Sequence, residues 1–163
     1  MPVCMLCGQI ANFKTNSNIE IEKIPYALNS KLKKSIVIKN AEEVEEKFHA
    51  RYNAKQKTYR YIINNSKFGS SIYRDLEYHM PIKLDTEEMK KAVKYFEGEH
   101  DFSSFKASGT SSKSSRRTIY KAEIIEDGER IKIELTGNGF LYNMVRIIAG
   151  TLVDVGLRKN KSK

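Results

Sequence analysis

The sequence has no apolar run long enough to cross a membrane. Its longest, Ile147–Val153, falls far short of the roughly 20 residues that a spanning helix needs. The N-terminus also lacks the charged-then-apolar layout of a signal peptide, so a cytoplasmic protein is expected. Cysteine is scarce: Cys4 and Cys7 form a single Cys-x-x-Cys pair, for which zinc or redox chemistry is the usual suggestion, and no second pair follows. The three histidines, His49, His79 and His100, stand at spacings that match no zinc pattern. Neither a metal nor a cofactor is expected. There is no internal repeat, and no linker divides the chain, which leaves one domain over residues 1–163 as the expected organisation.

What the sequence has in excess is positive charge. Against 20 Asp and Glu stand 29 Lys and Arg, a net charge of +9, which favours a polyanionic partner, nucleic acid first and an anionic membrane second. With 40% apolar and 30% charged residues over 163 positions, the composition is that of an ordinary globular protein with enough chain for one ample core or two small ones. Cationic and aromatic side chains alternate most densely from Phe48 to Tyr61. Within that stretch Thr58–Ile63 is rich in β-branched and aromatic residues, so a strand is expected there, with Tyr59 and Tyr61 on one face and Arg60 on the other. Two readings stand side by side. The tyrosines pack an ordinary half-buried strand, or tyrosine beside cation serves a flat, negatively charged ligand.

The rest of the chain supplies helices and further strands. Gly8–Lys14 and Ser35–Lys39 read as strands, Ile21–Leu32 as an amphipathic helix with Pro25 near its start, and Ala41–Glu46 as a turn. A turn-rich connection at Asn64–Ser71 leads to a strand at Glu77–Met80. A helix capped by Asp85 or Thr86 then carries Met89, Ala92, Val93 and Phe96 on one stripe, with Glu88 supporting the start and Gly98 ending it. Lys106–Arg117 is a basic Ser/Gly loop that either clasps phosphates or is a plain connection. Thr118–Glu126 and Arg130–Thr136 alternate on either side of Asp127-Gly128, a hairpin signal. Gly137-Asn138-Gly139 breaks the second strand, and Phe140–Val155 reads as a helix with Arg146 beside its apolar stripe. Such an arginine either pairs with an acid or reaches out to water. Helices alternating with hairpin-connected strands predict an α+β fold on a mostly antiparallel sheet.

Gly8-Gln9-Ile10-Ala11-Asn12-Phe13, Phe48-His49-Ala50-Arg51-Tyr52, Lys57-Thr58-Tyr59-Arg60-Tyr61, Asp101-Phe102-Ser103-Ser104-Phe105 and the run from Gly137 to Arg146 resemble, in order and spacing, motifs of the bacterial tRNA pseudouridine synthase A family. The resemblance extends from Gly8 to about Gly156. It implies a pseudouridine synthase-like fold, conversion of uridine to pseudouridine in the tRNA anticodon stem-loop, no cofactor, tRNA as partner, and a homodimer. It also implies that Tyr59 stacks on the target uracil and that Arg146 pairs with the family's nucleophilic aspartate. A guanidinium beside a carboxylate favours its ionised, attacking form. An aromatic platform offsets part of the cost of taking the base out of the RNA stack. Arg51, Lys57, Arg60, Arg116 and Arg117 would hold tRNA phosphates.

The family's aspartate lies in a Gly-Arg-Thr-Asp-x-Gly-Val-His-Ala segment just before the strand matched by Gly8–Phe13, and here the residues are Met1-Pro2-Val3-Cys4-Met5-Leu6-Cys7. The chain is therefore expected to be a truncated catalytic-domain fragment, family-like over residues 8–156, without the nucleophile and inactive alone. The alternatives are a non-catalytic basic RNA-binding or dimerising remnant, and a product with no function of its own. The codons of Met1–Cys7 can be written ATG-CCG-GTG-TGC-ATG-CTN-TGY. With a G in front and the frame moved by one base they read GAT-GCC-GGT-GTG-CAT-GCT-NTG, or Asp-Ala-Gly-Val-His-Ala-Leu/Met. On that hypothesis Met1 is an out-of-frame ATG overlapping the aspartate codon, with a frame change near Cys7, and Cys4 and Cys7 carry no metal meaning. The upstream DNA decides the matter: the absence of the preceding G ends the idea. The tail Arg158–Lys163 is open to the same treatment. Sheet edges left unpaired would favour a dimer or higher order.

Overall fold

β1 (Lys57–Asn64) is paired along its whole length with β5 (Arg130–Gly137), antiparallel, from Lys57 opposite Gly137 to Asn64 opposite Arg130. The computed structural model describes residues 8–109 and 114–158. The segment Met1–Cys7 with its Cys-x-x-Cys pair, residues 110–113 of the basic loop, and the tail beyond Arg158 lie outside the described residues. By its internal contacts the chain divides into two units, Gln9–Ala54 and the chain from Lys55 onward.

The second unit carries the sheet. Its five strands run in the order β2-β1-β5-β4-β3, where β2 is Tyr78–His79, β3 is Gly98–Asp101 and β4 is Arg116–Asp127. Every pairing is antiparallel except β1 with β2, so the α+β fold on a mostly antiparallel sheet is as expected. Alternation in β5 sends Ile131, Ile133, Leu135 and Gly137 inward. In β4 the residues Ile119, Ala122 and Ile124 are buried. The odd spacing from Ile119 to Ala122 is absorbed by a bulge between Ile119 and Lys121, which leaves Tyr120 exposed. At the hairpin Gly128 has φ +60° and Asp127 pairs with Arg130, so Gly128 is the first of two turn residues, the position where a type II′ turn requires glycine. Gly137 is needed for a different reason. A Cβ there would stand 2.6 Å from the Thr118 carbonyl oxygen.

Two helices complete the core. α2 (Thr86–Val93) begins where Asp85 accepts a hydrogen bond from the Glu88 backbone N–H at 3.1 Å, as its sequence predicts. It buries Met89 and Val93. α3 (Met144–Arg158) starts four residues later than the apolar pattern suggests, because Asn143 adopts φ +57° and the residues before it form a turn. Met144, Val145, Ile148, Ala149, Leu152 and Val153 of α3 join the sheet residues in one apolar cluster. Gly98 does not end α2. It opens β3, and a short 3-10 turn at Lys94–Phe96 closes the helix instead. β3 stops pairing at Gly98, opposite Ile119. Beyond it the Glu97 carboxylate takes over the role of a strand and accepts the Ala122 backbone N–H at 2.8 Å.

The turn-rich Asn64–Ser71 connection contains three buried polar residues, Asn64, Asn65 and Ser66. The Asn65 amide donates to the carbonyls of Met80 and Ile82, at 2.7 and 2.8 Å, and its oxygen accepts the Leu84 N–H at 3.0 Å. It thereby fastens the segment leading from β2 to α2.

In the first unit a 3-10 turn, Ile21–Lys23, runs into α1 (Ile24–Asn29), with Pro25 in its first turn. The helix is shorter than its periodicity predicts. Its last residue, Asn29, exchanges two side-chain hydrogen bonds with the backbone of Ile38, at 2.8 and 2.9 Å. Gly8–Lys14 and Ser35–Lys39 are not strands. Among the described residues no strand pairs with either; in the second, Ile38 is bonded by the Asn29 side chain, while in the first the Asn12 side chain accepts the Ala50 N–H at 2.9 Å. No residue from Gln9 to Ala54 is buried.

Two measurements test these anchors. Asn65→Ala leaves two carbonyls and one N–H without their partner and should lower unfolding stability by about 1–3 kcal/mol in urea titrations. The Glu97 carboxyl is held below the usual carboxylate range by the Lys94 ammonium and by the Ala122 N–H. A lowered folded-state pKa contributes stability that is present at neutral pH and is lost as acid protonates the folded carboxylate. Glu97→Gln should therefore be less stable than the parent at neutral pH, and the gap in urea midpoint should narrow as the pH is taken down through and below the ordinary carboxylate range.

Candidate active site

The strand pairing decides where the aromatic and cationic residues of β1 go. Tyr59 lies opposite Leu135 and Tyr61 opposite Ile133, and both are half-buried against the core. Arg60 points to the other face, where its Nε donates to Glu134 at 2.5 Å. This is the two-faced strand that its sequence predicts. The Tyr59 ring meets Phe140 edge-on, with centroids 5.1 Å apart. Phe140 stands at the start of the turn that delivers α3, so the tyrosine strand and the N-terminal end of α3 are held together by this contact.

Arg146 sits in the first turn of α3, exposed and not buried beside the apolar stripe. It lines a cleft of about 690 Å3 together with Tyr61, Arg74, Glu77, Tyr78 and His79. A cation in the first turn of a helix opposes the helix dipole, so its place there is not explained by helix stability. With Arg74 it gives the cleft two guanidinium groups, beside the phenol rings of Tyr61 and Tyr78.

The lining of the cleft is anchored by a buried carboxylate. Glu77 is 5% exposed and accepts from the Asn64 amide at 2.6 Å and from Arg130 Nε at 2.7 Å. The Arg130 guanidinium lies 4.6 Å from the centroid of Tyr73. Glu77 raises the pKa of Arg130 by hydrogen bond and charge, so the clamp stays charged. His79 is held by the Ser66 carbonyl at 3.0 Å, and its ring lies close over Gly69, where a Cβ would come within 3.2 Å of it.

The other nominated cations are spread out. Lys57 is exposed at the start of β1. Arg116 pairs with Glu99 across the β3–β4 ladder at 2.9 Å, and Arg117 donates to the carbonyls of Ser114 and Arg116 at 3.0 and 2.6 Å while passing Gly139. Arg51 belongs to the Gln9–Ala54 unit, where its guanidinium stands 5.9 Å from the Tyr52 ring centroid. Thus the structure packs Tyr59 against the turn before α3, and it is Tyr61, not Tyr59, that lines the cleft with Arg146, while Arg60 faces the other side of the strand. Tyr61, Arg74, Glu77 and His79 were not picked out from the sequence as site residues. Tyr61 shares the period of Tyr59 and could have been; Arg74 lies in a connection with no periodicity, and Glu77 and His79 in or beside the short strand β2, where nothing in the sequence marks them as site residues. Among the described residues there is no group of three or more His, Cys, Asp or Glu that could hold a metal ion, and no helix long and apolar enough to cross a membrane.

Comparison with known proteins gives the motifs a wider context. A family model described as tRNA pseudouridine synthase matches residues 92–163. A tRNA pseudouridine synthase A of Thermoanaerobacter sp. (strain X514) is 56% identical over 153 residues, which is 94% of this chain and 63% of the relative. The tRNA pseudouridine synthase A of Acetivibrio thermocellus is 53% identical over 93% of this chain and 62% of the relative. A tRNA pseudouridine synthase A 2 of Clostridium perfringens is 52% identical over a similar span. The chain spans about 63% of the length of the curated relatives it matches. The likeness read in five short motifs is thus a likeness along nearly the whole chain to proteins named tRNA pseudouridine synthase A.

Proposed function

We propose that this chain is the tyrosine- and arginine-bearing part of a tRNA pseudouridine synthase, and that these 163 residues do not isomerise uridine by themselves. The observation that carries the reading is the pairing of an inward tyrosine strand with an exposed arginine on the first turn of α3, at a cleft, in a chain more than half identical to proteins named tRNA pseudouridine synthase A. In this reading the target uracil leaves the RNA stack and rests against Tyr59, an aromatic contact worth about 1–3 kcal/mol per base. Arg146 holds the attacking carboxylate and keeps it ionised. The reaction moves the glycosidic bond from N1 to C5 of the same base, so it consumes nothing, and no cofactor is needed. The sequence carries no Gly-Arg-Thr-Asp segment, which is why the carboxylate is the component held to be lacking. A homodimer and a cytoplasmic setting go with the same reading.

Lys57, Arg51, Arg60, Arg116 and Arg117 are the proposed phosphate contacts. Arg60 and Arg116 already have carboxylate partners, so they would have to exchange a protein anion for an RNA one. The carbonyls that Arg117 bonds are neutral acceptors, so those two bonds do not cancel its charge.

Incubation of the purified protein with unmodified tRNA, followed by mass spectrometry of the nucleosides, should give no pseudouridine. Product would overturn the claim that the chain is inactive alone. Binding of tRNA should weaken steeply with salt. Replacing both Arg116 and Arg117 by Ala should lower the slope of log affinity against log salt by about one for each phosphate that the protein no longer neutralises. An unchanged slope removes these two residues from the RNA interface.

A further inference from the structure

The phosphate contacts proposed above come from the motifs and the basic loop of the sequence, whereas the cleft contains a cation that neither carries. Arg74 lines it together with Tyr61, Tyr78 and Arg146. Its backbone is fixed from both sides, although its side chain is 75% exposed. Before it, the Tyr73 N–H donates to the Ser70 hydroxyl at 3.2 Å. After it, the Leu76 and Glu77 N–H groups both donate to the Tyr73 carbonyl, at 2.8 and 3.0 Å. The side chains at the two ends of this turn meet one residue of β5: Arg130 donates to the Glu77 carboxylate at 2.7 Å and lies 4.6 Å from the centroid of the Tyr73 ring. Arg74 is thus an exposed guanidinium on a turn that a buried carboxylate holds in place.

What this mounting serves follows from the charges around it. Glu77 is taken up by Arg130 and the Asn64 amide. The acid beside Arg74 is Asp75, with Nε and Oδ2 3.6 Å apart and the Asp75 side chain 82% exposed. That separation is longer than a hydrogen bond, and an ion pair between two side chains in water contributes little. Fold stability therefore accounts for Arg130 but not for Arg74. A phosphate brought in from solution can meet the planar guanidinium with two oxygens at once, a geometry that Asp75, next to Arg74 in the chain, does not reach. The phenol rings of Tyr61 and Tyr78 in the same cleft suit the other half of a nucleotide, its flat base. We propose that Arg74 binds a backbone phosphate of the RNA at the cleft, and that Asp75 is the protein anion it exchanges for that phosphate. The proposal rests on the tRNA pseudouridine synthase reading and adds to it a contact that no sequence motif carries.

The test measures binding of the purified protein to unmodified tRNA across a salt series, with a single-stranded RNA of the same length and no tRNA fold as the second ligand. Arg74→Ala should weaken tRNA binding about fivefold or more at low salt and lower the slope of log affinity against log salt by about one, while Arg74→Lys keeps the slope. Asp75→Asn should tighten binding about two- to fivefold, the reach of an exposed ion pair, and should lose most of that gain when Arg74 is already alanine. Urea midpoints of all these variants should match the parent's, since both side chains stand in water. A slope unchanged in Arg74→Ala overturns the proposal and leaves the functional reading standing. A fall in slope that Arg74→Lys does not restore marks a structural effect and also overturns it. An equal gain from Asp75→Asn with and without Arg74 removes Asp75 from it. If the two RNAs bind equally and both depend on Arg74, the phosphate site stands and the tRNA reading falls. If the parent shows no salt-dependent binding to either RNA, both fall.

Discussion

The register between β1 and β5 is the constraint on which the rest of the second unit depends. A slip of one residue would turn Tyr59, Tyr61 and Ile63 outward and bring Arg60 into the core. The register is fixed from both faces. Inside, Ile63, Ile131, Ile133 and Leu135 interlock in the apolar cluster. Outside, the Thr58 and Thr136 hydroxyls meet at 2.8 Å and Arg60 meets Glu134. Neither set would survive a slip, so the inward placement of the two tyrosines is a consequence of packing and not of any need for a ligand.

The same register carries the cleft. Asn64, the last residue of β1, lies opposite Arg130, the first of β5, and both hold Glu77 from these adjacent positions. A buried carboxylate bonded to one amide and one guanidinium is costly to leave unpaired, so Glu77 fixes the approach to β2 against the end of the hairpin. β2 itself is only two residues long, too short to hold by its ladder alone. Tyr78 and His79 owe their position in the cleft wall to Glu77 on one side and Asn65 on the other. The chain of dependence runs from strand register, to buried polar anchor, to cleft wall.

How much of this was legible in the sequence follows from which interactions are local. The Asp85 cap, the stripe of α2 and the hairpin at Gly128 are decided within a few residues, and their sequences state them. The two faces of β1 follow from period two. The parallel strand β2 was legible only as a short run of strand-like residues, because its partner and direction are set by Glu77 and Asn65 acting across 13 to 19 positions. β3 was hidden because Gly98, read as a helix terminator, uses its positive φ to enter a strand. At the site, Tyr59 and Arg146 came from the motifs, but nothing in the sequence placed Tyr61 beside Arg146 or put Arg74 and His79 in the same cleft. Arg74 comes from a connection without periodicity, and His79 from the short β2, whose place Glu77 and Asn65 set.

Gly8–Lys14 and Ser35–Lys39 failed as strand predictions for a reason different from β3. Their alternation is real, but alternation specifies a strand only when a second strand answers its backbone and an apolar layer answers one face. From Lys55 onward both conditions are met, and Ile131, Ile133 and Leu135 are buried to within a few per cent. In Gly8–Lys14 and Ser35–Lys39 neither is met, and at Ile38 the Asn29 side chain bonds the backbone in place of a neighbouring strand. The two units thus obey one rule with opposite outcomes. A strand-like sequence becomes a strand where the chain supplies its partners, and where it does not, the apolar side chains that would have faced inward remain on the surface.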